Sequence, residues 1–377
     1  MIAASKLTLF LTPFPSDPQS AQAQGLKNGL NNRDACEVSA WCWELAAQVE
    51  ALAKQMGLRL VLIGGTAAQL RVAVGFQRGS RDDDYLTDAS PAQIASLMFA
   101  LSTKFAGFPA PQFRPEKKIP GAVAIQLPMV AYEVVVPALL GHIDLHGLAQ
   151  HVIKLEFHFV SQLPPAEAVR SEVFALVDPV EHTIPKVPYQ IAMKLMTLAE
   201  PPIGLPPERE DDLPKHASDL DALVMQVRTP ADWAMLLAAV NEQAGHEIKT
   251  HKAAATPPVV LEQIVARLEH WALSPTSNLL AALDMQLTKA SRLGPWEWRS
   301  RFRKLKFFVG CTLEGAAGGP RWFDAFRAEE VILSAGNGRA EHAGVAAQWP
   351  DRHNGQPMPK LLTGVKASQV WWEMLAS

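Results

Sequence analysis

The stretch that most constrains this chain runs from Leu60 to Asp88, LVLIGGTAAQLRVAVGFQRGSRDDDYLTD. Leu60-Val61-Leu62-Ile63 is a short apolar run rich in β-formers, and it predicts a buried strand. Gly64-Gly65-Thr66 interrupts the run and leads into an amphipathic segment, Ala67 to Val74, which predicts a helix ending at Gly75. A strand, a Gly-Gly turn and a helix start crowd backbone N–H groups at one helix N-terminus, which suits a phosphate. A short link with Arg78 and Arg81 then reaches Asp82-Asp83-Asp84-Tyr85. With a second strand over Asp83 to Leu86, side chains alternate, so Asp82 and Asp84 share a face and Asp83 takes the other. Two carboxylates on one face beside such a turn are what a Mg²⁺–nucleotide complex requires. Taken singly, a Gly-Gly turn and an Asp run are ordinary surface features. Their order along the chain gives them meaning.

That order, strand, Gly-Gly, helix, D-x-D, resembles the nucleotidyltransferase superfamily. The fuller pattern, Gly64-Gly65-Thr66 followed by Arg78, Ser80, Asp82 and Asp84, is similar to the AbiEii-type branch of toxin nucleotidyltransferases. The resemblance covers roughly residues 58 to 225 and includes a second block. Pro185 to Leu198, PKVPYQIAMKLMTL, predicts a helix with Lys194 among apolar neighbours. Such a lysine either snorkels to solvent or reaches into a cleft to hold a triphosphate. A Pro-rich acidic loop separates it from Lys215-His216-Ala217-Ser218-Asp219-Leu220-Asp221. By the resemblance, Lys194 contacts nucleotide phosphates and Asp219 is an active-site carboxylate and candidate base. His216 stands where many relatives carry Asp, and Asp221 is an alternative to Asp219. The resemblance also implies phosphate contacts from Gly64, Gly65, Thr66 and Ser80, and a metal held by Asp82, Asp84 and a third carboxylate on a neighbouring strand. Glu156 in the alternating run His151 to Phe159 is the candidate for that third group, with Asp144 as runner-up. His142, His146, His151 and His158 fit no standard zinc spacing and read as alternating surface residues.

With 377 residues, 48% hydrophobic and 19% charged, the chain buries a substantial core and belongs to the globular class. A net charge of −3 gives no global attraction for nucleic acid, so an RNA site must be a local patch. The best such patch is Trp296 to Phe308, WEWRSRFRKLKFF, where Arg299, Arg301, Arg303, Lys304 and Lys306 interleave with aromatics. The same residues also describe an amphipathic helix with Trp298, Phe302, Leu305 and Val309 buried. Three scattered cysteines form no metal-type pair, which fits a reducing cytoplasm. The apolar stretch Leu7 to Leu11 is stopped by Pro13 and Pro15, and no run reaches membrane-spanning length.

Further helices are expected over Cys36–Met56 (stopped by Gly57), from Ser90-Pro91 through Leu101, from Thr229 to near Gly245, over Val259–Ala272 and over Leu279–Ala290. A linker is expected over Lys249–Pro258, and strands over Ala122–Leu127, Tyr132–Val136 and His151–Phe159. The expected organisation is a flexible tail over 1–35, a core domain over 36–228 and a mainly helical domain over 229–377. The fold class is α/β (α+β), a nucleotidyltransferase-like core with a small mixed sheet flanked by helices and an α-helical C-terminal region. The resemblance implies Mg²⁺ (or Mn²⁺) and an NTP as substrate, with NMP passed to an acceptor hydroxyl and pyrophosphate released. It implies a toxin of a bacterial toxin–antitoxin or phage-defence pair, with a tRNA or other RNA acceptor and a cognate antitoxin. An antibiotic-type enzyme acting on a small alcohol, and a non-catalytic nucleotide-binding protein of the same fold, are the other classes.

Overall fold

The computed structural model describes residues 33–72, 80, 82–104, 112–115, 129–137, 150–170, 181–206, 209, 212–273, 295–334 and 364–376. These fall into two compact units, one reaching to Lys186 and one beginning at Val187. The expected strand over Ala122–Leu127, the expected helix over Leu279–Ala290, and Arg78, Arg81, Asp144, His142 and His146 lie outside the described residues.

In the first unit, α1 (Arg33–Gln55) precedes β1 (Leu60–Ile63), α2 (Gly64–Gln69), β2 (Asp82–Thr87), α3 (Pro91–Lys104), β3 (Gln112–Pro115), β4 (Met129–Pro137) and β5 (Gln150–Phe159). The five strands form one mixed sheet in the order β1-β2-β5-β4-β3. β1 runs antiparallel to β2, β2 parallel to β5, and β4 antiparallel to both β5 and β3. A separate antiparallel pair joins β6 (Ala166–Arg170) to β7 (Glu181–Pro185). This is a small mixed sheet with flanking helices, as the sequence predicts.

Period-two alternation decides what each face of the sheet carries. On β2, Asp83, Tyr85 and Thr87 are buried; on β5, Ile153, Leu155 and Phe157 are. Tyr85 and Phe157 are register partners and stack at 5.4 Å between ring centroids. Cys42, Leu45, Val49, Leu52 and Ala53 of α1, with Ile94, Leu97, Met98 and Leu101 of α3, close the core over this face. Asp84, Lys154, Glu156 and His158 therefore occupy the opposite face. α1 starts three residues earlier than expected. Met56, the last residue of the expected helix, falls just past its end and is 38% exposed, where the chain turns at Gly57 with φ +70°, a conformation that suits glycine. The start of α3 is capped reciprocally: the Ser90 hydroxyl accepts from Gln93 N–H at 3.3 Å, and Gln93 Oε1 accepts from Ser90 N–H at 2.8 Å.

The second unit contains α4 (Val187–Thr197), α5 (Leu213–Val224), α6 (Pro230–His251), α7 (Pro257–Leu273), α8 (Pro295–Leu313), α9 (Gly318–Ser334) and α10 (Gly364–Ala376). Thr229 caps α6 through a reciprocal box with Asp232. α6 runs through Gly245 to His251, so the stop expected near Gly245 is overturned, and the linker expected over Lys249–Pro258 shrinks to residues 252–256 between the two helices. One interior glycine costs only about 1 kcal/mol relative to alanine, and burial of Trp233, Leu236, Ala239, Val240 and Ala244 outweighs it.

α8 is the helix of Trp296–Phe308, and its amphipathic reading holds: Trp298, Phe302, Leu305 and Val309 are buried. Its cations, however, are tied to acids rather than spread over a solvated face. Arg299 pairs with Glu373 at 2.7 Å, Arg301 with Asp221 at 3.3 Å and Lys306 with Glu269 at 2.9 Å. Arg303 and Lys304 are themselves buried, Arg303 against Glu269 and Glu373, and Lys304 against Asp221 at 2.8 Å and Glu329 at 3.5 Å. This basic stretch knits helices together through buried and half-buried ion pairs.

Candidate active site

Strand pairing builds the first part of the site. β1 and β2 are antiparallel with Ile63 opposite Asp84, so the next residue, Gly64, turns directly over the Asp84 side chain. A β-carbon added to Gly64 would lie 2.2 Å from Asp84 Oδ2, and its φ of +74° is one that residues with a side chain rarely adopt. Glycine is thus required here twice, by backbone conformation and by the carboxylate packed against it. α2 begins at Gly64 itself, so the glycines form its first turn rather than a separate loop before it.

Thr66 is buried. Its Oγ1 lies 2.9 Å from the Asp82 carbonyl and 3.0 Å from Ser80 Oγ, while the Ser80 hydroxyl donates to the same carbonyl at 3.1 Å. These bonds clamp the start of β2 to α2. Cys42 donates its S–H to the Ser80 carbonyl at 3.5 Å.

β2 and β5 are parallel with Asp84 opposite Glu156 and Leu86 opposite His158. Asp84, Glu156 and His158 each offer a ligand atom within 4.8 Å of the others'. Two carboxylates and an imidazole at that spacing are a donor set fit for a divalent cation. Asp82 shares the strand face but is exposed and outside this group. Glu156 Oε1 is 3.2 Å from Lys154 Nζ and its Oε2 is 3.6 Å from His158 Nε2. Burial pushes the Glu156 carboxyl up, but His158 and Lys154 outweigh it and hold the group below its usual value. Asp83, on the core face, behaves oppositely. Burial drives its pKa well above the carboxylate range, with Thr66 opposing and Asp84, Asp82 and Glu50 reinforcing. A group that favours its neutral form is a poor cation ligand, so the alternation separates the three aspartates chemically as well as sterically.

In the second unit, Lys194 of α4 donates to Asp219 Oδ2 of α5 at 2.8 Å, with side chains 7% and 1% exposed. Lys194 Nζ also lies 3.4 Å from His216 Nδ1. Asp221, two residues on, points elsewhere, since helical residues i and i+2 do not share a face. It meets Lys304 and Arg301, whose charges outweigh burial and hold its carboxyl below the usual value. The ambiguity between Asp219 and Asp221 thus has a geometric counterpart: one faces Lys194, the other is committed to α8.

A sequence model described as "Nucleotidyl transferase AbiEii toxin, Type IV TA system" matches residues 50–304. The chain belongs to the AbiEii nucleotidyltransferase toxin family. No curated protein matches it significantly. The matched span of the AbiEii family contains the candidate site residues Gly64, Gly65, Thr66, Ser80, Asp82, Asp84 and Glu156 in the first unit, and Lys194 and Asp219 in the second. Within the first unit the structure brings Gly64, Asp84 and Glu156 together and ties Thr66 and Ser80 to the Asp82 backbone. Within the second it joins Lys194, Asp219 and His216. The residue this AbiEii chain adds to the set is His158. Its signal in the sequence was the spacing Glu156-x-His158 within an alternating strand, which places both on one face.

Proposed function

We propose that the protein is a divalent-metal-dependent nucleotidyltransferase that passes NMP from an NTP to an acceptor hydroxyl and releases pyrophosphate. The observation that carries this reading is the rung pairing Asp84 with Glu156, with Gly64 packed on the Asp84 carboxylate. A cation held by Asp84 and Glu156, with Asp82 joining from the same strand face, would neutralise charge on the triphosphate and the departing pyrophosphate. Backbone N–H groups at Gly64 and Gly65 and the Ser80 hydroxyl receive phosphate oxygens, with Thr66 holding that turn against β2. Lys194 contributes positive charge to the triphosphate. Asp219 orients or deprotonates the acceptor hydroxyl, and its bond to Lys194 fixes the carboxylate in direction.

Membership of a type IV toxin–antitoxin family supports a cellular role as the toxin of such a pair, opposed by a cognate antitoxin; the acceptor we propose is an RNA such as tRNA. Among the described residues no helix is long and apolar enough to cross a membrane.

Incubation of purified protein with Mg²⁺ or Mn²⁺, each labelled NTP and total RNA tests the reading. Label transferred to an RNA species supports it. Label on a small aminoglycoside-like alcohol without RNA redirects it to an antibiotic-type enzyme. Nucleotide binding without transfer to any acceptor reduces it to a binding protein. Lys194→Ala is expected to weaken NTP binding, and Asp219→Asn to slow single-turnover transfer with NTP affinity retained.

A further inference from the structure

We propose that His158 is a nitrogen ligand of the cation site, so that the site prefers a divalent transition ion, Mn²⁺ being the working case, over Mg²⁺. The proposal rests on the reading of Asp84 and Glu156 as cation-holding carboxylates and adds a nitrogen donor that the sequence alone assigned to surface decoration. The register puts Asp84 opposite Glu156 and Leu86 opposite His158, so Glu156 and His158 project from the same face of β5 beside Asp84. Ligand atoms of all three lie within 4.8 Å of one another, and His158 Nε2 is 3.6 Å from Glu156 Oε2. Two donors each about 2.1 Å from one ion and separated by 90–120° stand about 3.0–3.6 Å apart, so this spacing already suits a shared ion.

The charge balance points the same way. Lys154 Nζ, 3.2 Å from Glu156 Oε1, takes up part of the negative charge of the set. A hard ion such as Mg²⁺ relies on oxygen donors and charge and gains little from imidazole. First-row transition ions gain from a nitrogen donor, in an order that rises from Mn²⁺ towards Cu²⁺. A group in which an imidazole joins the Asp84 and Glu156 carboxylates, the latter shared with a lysine, is therefore better suited to the transition ions.

The test uses full-length, chelator-stripped protein without nucleotide, with Mn²⁺ followed by electron paramagnetic resonance and Mg²⁺ by competition. The wild type is expected to bind Mn²⁺ at least roughly tenfold more tightly than Mg²⁺, with pulsed spectra showing ¹⁴N coupled to the bound ion. His158→Gln is expected to lose the nitrogen coupling and roughly tenfold in Mn²⁺ affinity while Mg²⁺ affinity stays unchanged. The wild-type spectrum needs no variant, so a folding defect in His158→Gln does not blunt the test. Absence of ¹⁴N coupling, its survival in His158→Gln, or equal affinity for the two ions overturns the proposal. Asp84→Asn tells this failure from that of the underlying reading: loss of both ions sustains the carboxylate site, whereas wild-type Mn²⁺ binding in Asp84→Asn removes that site and the His158 proposal with it.

Discussion

Gly64→Ala is the substitution with the most specific consequences. The new methyl would lie 2.2 Å from Asp84 Oδ2 at a backbone φ of +74°. The left-handed conformation costs a side-chain-bearing residue about 1–2 kcal/mol, and overpacking in a closed site adds about 1–3 kcal/mol. The total is then about 2–5 kcal/mol, or a fall in Tm of roughly 4–20 °C for a unit of this size. The two contributions can be separated, because the clashing atom is the end of a side chain that can rotate. In an Asp84→Ala background only the backbone contribution remains, so Gly64→Ala should cost about 1–2 kcal/mol there. Urea unfolding of the four proteins, followed by tryptophan fluorescence, measures the coupling. A parallel Mn²⁺ titration should show Gly64→Ala losing cation affinity even where it folds, since the carboxylate has been turned away. Equal costs in both backgrounds, together with wild-type cation affinity in Gly64→Ala, would refute the claim that Gly64 seats Asp84.

Lys194→Met should destabilise the helical unit by about 3–5 kcal/mol, because it leaves a buried carboxylate without its charged partner. Lys194→Met/Asp219→Asn should cost less than the sum of the single variants, as read from urea midpoints. Asp221→Asn should lower stability at neutral pH. Because the folded-state value of Asp221 lies below its ordinary 3.8, that stabilisation is full above the ordinary value and disappears as pH falls through the lowered one. The gap between wild type and Asp221→Asn should therefore be flat from pH 6 to 8 and close below pH 4 in denaturation curves; a gap that widens on acidification contradicts the pairing with Lys304 and Arg301. Asp84→Ala should abolish labelled-NMP transfer with the circular dichroism spectrum intact, whereas Asp83→Asn, on the core face, should keep transfer.

What was legible in the sequence followed from periodicity. Strand alternation separates Asp83 from Asp82 and Asp84 before any coordinates, and the apolar run before Gly64 marks β1. Partners distant in sequence were not legible in the same way. Nothing in the local pattern around Lys194 distinguishes a lysine that snorkels from one that meets Asp219, since that contact depends on how α4 packs against α5. The stretch WEWRSRFRKLKFF shows the same limit. A basic aromatic helix has one composition whether its cations meet phosphates or carboxylates. Here the carboxylates come from four other helices, Asp221 on α5, Glu269 on α7, Glu329 on α9 and Glu373 on α10. His158 was missed for a related reason, because a histidine on an alternating strand carries no chemistry until the neighbouring strand's register is known.

The parallel pairing of β2 with β5 also bears on how such a chain can change over generations. Asp84 and Glu156 meet through one rung of a sheet, although a long piece of chain separates them in sequence. Connecting segments can lengthen, shorten or diverge without moving that rung, so tolerance to insertion should be high between the two strands. Deletion of one residue inside β5 ahead of Glu156 is a different matter. It would swap the faces of the strand, sending Glu156 and His158 into the space now filled by Leu155 and Phe157 and turning those apolar groups outward. Length is thus negotiable in the connections and fixed in the strands, and a deletion scan across residues 129–160 should show that boundary as a sharp step in recoverable folded protein.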